Sequence, residues 1–119
     1  MIYDASFIIY VNYNGERLGL CKWVHEAVPD AEWKVAWFGS TSHCYVSVDE
    51  NISYDLKRQN EEHGFWYYKY EINAISRSPD PITESDMGLM GKLAQKILDK
   101  LEEGGFEAVI YGFDLDEFL

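Results

Sequence analysis

Three histidines, His25, His43 and His63, are the side chains of this sequence best suited to general acid–base work, because imidazole changes charge near neutral pH. Each would need a nucleophile or a carboxylate converging on it. The acids nearest in sequence do not converge: His25-Glu26 and Glu62-His63 are chain neighbours, and on a helix or a strand neighbouring side chains point apart. HExxH, GxGxxG, P-loop, GxSxG and CxxC patterns are all missing from the sequence. The histidines are therefore expected in structural or surface positions, and the chain is expected to be non-enzymatic and to need no cofactor. Cys21 and Cys44 could pair in principle, but two cysteines make no metal motif and a chain with 47% apolar residues needs no staple. Both are expected as small buried hydrophobes in a reducing compartment. Asp114-x-Asp116-Glu117 could chelate a divalent cation, yet it lacks the turn glycine and the distant bidentate glutamate of a calcium loop, so no metal is expected there.

Surface chemistry is the stronger signal. Aromatic residues make up 16% of the chain, and 21 Asp and Glu against 10 Lys and Arg give a net charge of -11. That sign repels phosphate backbones and anionic lipid surfaces, which excludes nucleic acid and membrane as partners and favours a basic protein. The sheet of an RNA-recognition domain would carry a basic aromatic stretch, whereas FWYYKYEI from Phe65 to Ile72 has one lysine offset by a glutamate. Acids gather at Asp49, Glu50 and Asp55, at Glu61 and Glu62, and at Asp114, Asp116 and Glu117. Aromatic residues alternate so that Trp33 and Trp37 share one strand face, and Trp66, Tyr68 and Tyr70 share a face of another. Exposed aromatics beside acids are what protein-binding hot spots are made of. The predicted partner-binding set is Trp37, Trp66, Tyr68 and Tyr70, with Asp114, Asp116 and Glu117.

The elements that position these residues follow from periodicity. A chain of 119 residues suits a single domain. The segment from Ala5 to Tyr13 alternates in the manner of a strand, and Asn14-Gly15 breaks it. Leu20, Trp23, Val24, Ala27 and Val28 form a helical stripe ended by Pro29, although Arg17 to Val24 also fits a second strand after an Asn-Gly hairpin. Strands are expected over Glu32–Phe38 and His43–Asp49, joined by a turn at Gly39-Ser40-Thr41-Ser42. A polar stretch over 50–64 reads as a loop, Phe65–Ile75 as a strand, and Ser78-Pro79-Asp80-Pro81 as a turn. A helix over Glu84–Glu103, capped by Thr83 or Ser85 and closed by Gly104-Gly105, should pack through Leu89, Leu93, Ile97 and Leu101. A last strand, Glu107–Phe113, precedes an acidic tail.

The order β-α-β-β-β-α-β predicts an α+β fold: an antiparallel or mixed sheet with two helices on one face, ferredoxin-like with one extra strand. The strands flanking the long helix should lie parallel or one strand apart. Met1-Ile2-Tyr3-Asp4 carries no basic leader and Phe7–Val11 is too short for a signal core or a span, so the expected location is the cytoplasm.

In its small size, its acidity, its aromatic runs WKVAWF and FWYYKY and its acidic stretch GFDLDEF, the chain resembles the immunity proteins of bacterial polymorphic-toxin and contact-dependent inhibition systems. The resemblance is to a class and carries no family residue over. It implies a cytoplasmic protein that binds a cognate toxin, often a basic nuclease, and blocks it without doing chemistry. Two alternatives are a phage-encoded inhibitor or DNA mimic acting on a host defence nuclease, and a small metal-dependent hydrolase built on the histidines and Asp114 to Glu117.

Overall fold

In the computed structural model, which describes residues 6–52, 54, 68–77 and 83–111, the first alternating run forms strand β1 (Ser6–Asn12). Phe7, Ile9 and Val11 point to one side and are fully buried. The stripe that follows is helical, α1 (Arg17–Ala27), with Leu20, Cys21 and Val24 inward. The strand alternative for this segment is thereby removed: neighbouring Leu20 and Cys21 are buried together with Val24, and a helix sets i, i+1 and i+4 towards one side whereas a strand would point the two neighbours to opposite faces.

Glu32 to Phe38 is not one strand. It splits into β2 (Glu32–Val35) and β3 (Phe38–Ser40), a tight hairpin that turns at Ala36-Trp37, with Val35 opposite Phe38. The sheet gains a second added strand in consequence, and Trp33 and Trp37 do not share a strand face. The reason is local. Trp33 packs on the core side opposite Gly39, where a β-carbon would lie 2.6 Å from the indole, so the glycine is the slot that admits the ring. β4 (Cys44–Glu50) follows at nearly the expected place, and the chain enters β5 (Tyr70–Ser76) later than expected. Residues 65–67, most of the polar loop, the Ser78–Pro81 turn and the tail from 112 onward lie outside the described residues.

Helix α2 (Glu84–Glu103) has the expected ends. Thr83 accepts from the Asp86 amide while the Asp86 carboxylate accepts from the Thr83 amide, a reciprocal cap that satisfies two amide donors at the first turn. Gly105, at φ 77°, occupies the left-handed conformation beyond the last turn. Leu93, Ile97 and Leu101 are buried as expected, but Leu89 is 37% exposed and Met90 takes its place in the core. β6 (Glu107–Tyr111) closes the sheet.

The six strands run β2-β3-β4-β5-β1-β6, every neighbouring pair antiparallel. β5 and β6 flank β1, so they are parallel with one strand between them, as expected for the strands on either side of the long helix. The order is not strictly ferredoxin-like, because the β2–β3 hairpin sits between α1 and β4 and widens the sheet at one edge. Both helices lie on the face that carries Phe7, Ile9, Val11, Val46, Val48 and Ile72, and together they enclose one apolar core. Among the described residues, no helix is long and apolar enough to cross a membrane.

Candidate protein interface

The strand pairings place a second set of side chains on the face opposite α1 and α2. Tyr45 stands opposite Ile75, which stands opposite Ser6. In the next row Ser47, Asn73, Ile8 and Tyr111 follow one another across four strands, and in the row after that come Asp49, Glu71, Tyr10 and Val109. Phe38 adds to the first two rows from β3, stacked on Tyr45 at 5.9 Å between centroids. Between these side chains runs a groove of about 320 Å³, walled by Ile8, Phe38, Tyr45 and Ile75 with Ser47 and Asn73 alongside. Ile75 is 49% exposed and Tyr45 37% exposed, so this apolar surface faces outward.

Carboxylates border the groove. Asp49 and Glu71 are directly opposite on β4 and β5, an arrangement of like charges that is unfavourable unless other groups intervene. Asn73 intervenes by donating to Asp49 Oδ2 at 3.0 Å and to Glu71 Oε1 at 3.3 Å, and Ser47 donates to Asp49 at 2.7 Å. Arg17, at the start of α1, reaches round the sheet edge. Its Nε donates to the Val48 carbonyl at 2.6 Å and its guanidinium pairs with Asp49 at 3.1 Å. The same guanidinium lies 5.0 Å from the ring centroid of Trp37, which is 42% exposed at the hairpin turn. Trp37 also contributes its carbonyl to the Val48 amide, so the hairpin turn is tied to β4.

Tyr68 and Tyr70 do not stand on the exposed surface expected of them. Tyr70 points into the core, where its hydroxyl donates to the Gly15 carbonyl, and Tyr68 is 5% exposed with its ring 6.1 Å from that of Tyr10. For Tyr70 the physical reason is register, since it alternates with Glu71 in phase with Ile72 and Ala74 on the side the helices cover, whereas Tyr68 precedes β5 and packs on Tyr10 at the opposite face. Asn51, itself buried, holds this entry by donating to the Tyr68 carbonyl. Burial and then the nearby Glu71 and Tyr111 push the Tyr10 hydroxyl above its ordinary pKa. Trp66, Asp114, Asp116 and Glu117 lie outside the described residues.

The remaining candidates have local partners. His25 stacks on Trp33 at 3.9 Å and donates from Nε2 to the Ala36 carbonyl, tying α1 to the hairpin. Among the described residues, the His43 ring meets only its neighbour Ser42, on an exposed turn, and the His43 carbonyl accepts from the Arg77 amide. His63 lies outside the described residues. Cys21 and Cys44 are free and buried, and burial raises both thiol pKa values. Among the described residues, no three of His, Cys, Asp and Glu gather as a metal site would require. Ile8, Tyr45, Glu71, Asn73 and Ile75 were not singled out from the sequence, although the alternation in SFIIYVN, HCYVSVDE and YEINAIS contains them.

No protein-family model matches the chain, and no curated protein or solved structure matches it either.

Proposed function

We propose that this chain is a non-enzymatic acidic binding protein that neutralises a basic, nuclease-type toxin in the manner of an immunity protein, acting in the cytoplasm. The observation that carries this reading is a sheet face left open by α1 and α2 on which exposed Tyr45 and Ile75 and half-buried Phe38 share the surface with Asp49 and Glu71, in a chain of net charge -11. The apolar groups supply area that gains from leaving water, and the carboxylates supply long-range attraction to a basic partner. Trp37, exposed and braced by Arg17, is the aromatic contact at the hairpin turn. The tail acids Asp114, Asp116 and Glu117 contribute to the attracting field. Two buried free cysteines agree with a reducing compartment. Within the sheet, β4-β5-β1-β6 with α1 and α2 reads as a ferredoxin-like core with an inserted hairpin.

The test is binding kinetics against a basic toxin encoded beside this chain's gene, at two salt concentrations, paired with growth protection on co-expression. Association should slow steeply with salt, and neutralising Asp114, Asp116 and Glu117 together should slow it further and flatten the salt dependence. Salt-independent association, or cells left unprotected by the parent protein, would overturn the reading.

A further inference from the structure

The groove on the face opposite α1 and α2 has walls and an end of different chemistry. Its walls are the side chains of Ile8, Phe38, Tyr45 and Ile75. At one margin Ser47 and Asn73 hand over, through their hydrogen bonds, to Asp49 and Glu71. The two carboxylates are not equally compensated. Asp49 has the Arg17 guanidinium at 3.1 Å, while among the described residues Glu71 has only the amide of Asn73 and no cation within ion-pair distance. An apolar trough leading to an uncompensated carboxylate suits a side chain with an aliphatic stem and a cationic head. A groove of about 320 Å³ has room for one such side chain. Tyr45 is already engaged by the Arg77 guanidinium, 4.9 Å from its ring centroid, and stacks on Phe38, so it serves as apolar wall for the stem and leaves Glu71 to receive the head.

We propose that this groove captures one lysine or arginine side chain of the basic protein partner, its stem between Ile8, Phe38, Tyr45 and Ile75 and its head against Glu71. The inference rests on the reading of the chain as a binder of a basic protein and names the place where that partner is held. In the complex the incoming cation relieves the repulsion between Glu71 and Asp49, so the pair is more favourable bound than free.

The probe is the peptide acetyl-Ala-Arg-Ala-Arg-Ala-amide, titrated into the nitrogen-15-labelled protein, with the citrulline peptide as its uncharged isostere. Amide shifts should centre on Ile8, Tyr45, Ser47, Asn73 and Ile75, and the citrulline peptide should bind at least about tenfold more weakly. Glu71→Gln should weaken the arginine peptide by about five- to tenfold, while Glu102→Gln, an equal loss of charge on the exposed side of α2, should leave it unchanged. Shifts spread over the whole acidic surface, or equal weakening by the two glutamine variants, would overturn the groove in favour of diffuse attraction. The toxin assay separates the two levels of the argument. If Glu71→Gln protects cells and holds the toxin as well as the parent does, the groove falls and the binding function stands. If the arginine peptide docks in the groove but the parent neutralises no basic toxin, the groove stands and the toxin reading falls.

Discussion

On β5, Tyr70, Ile72 and Ala74 face the helices and are at most 3% exposed, while Glu71, Asn73 and Ile75, one step along the same strand, face away. β4 repeats the division, with Cys44, Val46 and Val48 fully buried against Tyr45, Ser47 and Asp49. Both faces carry apolar groups, so hydrophobicity alone does not separate them. The covered face sets Phe7 and Tyr70 among aliphatic side chains and is closed by two helices, whereas the free face brings polar amide and carboxylate groups in among its aromatic rings around a groove. Strand pleating lets one stretch of chain serve cohesion and recognition through alternate residues, and a substitution should betray which of the two it touches.

The largest difference should come from a carboxylate placed on each side. Leu93→Asp buries an unpaired charge under the helices and should unfold the protein, while the volume-conserving Ile97→Leu should shift thermal melting only slightly. A Leu93→Asp variant that melts with the parent would erase the distinction between the faces. Thiol chemistry probes the covered face without mutation. The thiolate is the reactive form, and burial raises the pKa of Cys21 and Cys44, so at pH 8 native protein should react with a disulfide reagent far more slowly than denatured protein. The native rate should climb as pH rises through the raised values; a rapid reaction at pH 8 would mean that the core opens readily.

Gly39→Ala should cost about 1–3 kcal/mol, because the new methyl meets the Trp33 ring on the core side, and tryptophan fluorescence should shift with it. Thr83→Ala should cost about 1 kcal/mol by removing the cap of α2, read from denaturant unfolding. Smallest of all, Ile75→Asp on the free face should change stability by no more than about 0.5 kcal/mol. A loss like that of Leu93→Asp would place Ile75 within a core.

The elements whose ends carry their own chemistry were legible before the fold was known. Thr83 or Ser85 at one end and Gly104-Gly105 at the other bracket α2, the structure choosing Thr83, and Pro29 marks the limit of α1. The turn at Ala36-Trp37 was not legible, since neither residue is a usual turn former and the run around it has strand composition. The alternation on β5 shows that its two sides differ, but burial of Tyr70 rather than Glu71 depends on where the helices lie. Of the expected contact residues, Trp37 is exposed, whereas Tyr70 faces the helices and Tyr68 is buried against Tyr10, because aromatic content marks a strand without saying which side is covered or where the strand begins. The groove could not be read at all, because Ile8, Phe38, Tyr45 and Ile75 come together only through the pairing of β1, β3, β4 and β5.

The position of β1 has a kinetic consequence. It is paired on both sides, yet its partners come much later in the chain, Ser6 opposite Ile75 and Ile8 opposite Tyr111. Large loops must close before either ladder forms, which raises contact order and slows folding toward milliseconds to seconds. During synthesis β1 leaves the ribosome long before β5 and β6 exist, so its Phe7, Ile9 and Val11 remain without their final neighbours for most of translation. Chaperone dependence should therefore track the rate at which β5 and β6 are delivered, and slowing the ribosome between them should lower soluble yield without altering the stability of the finished protein.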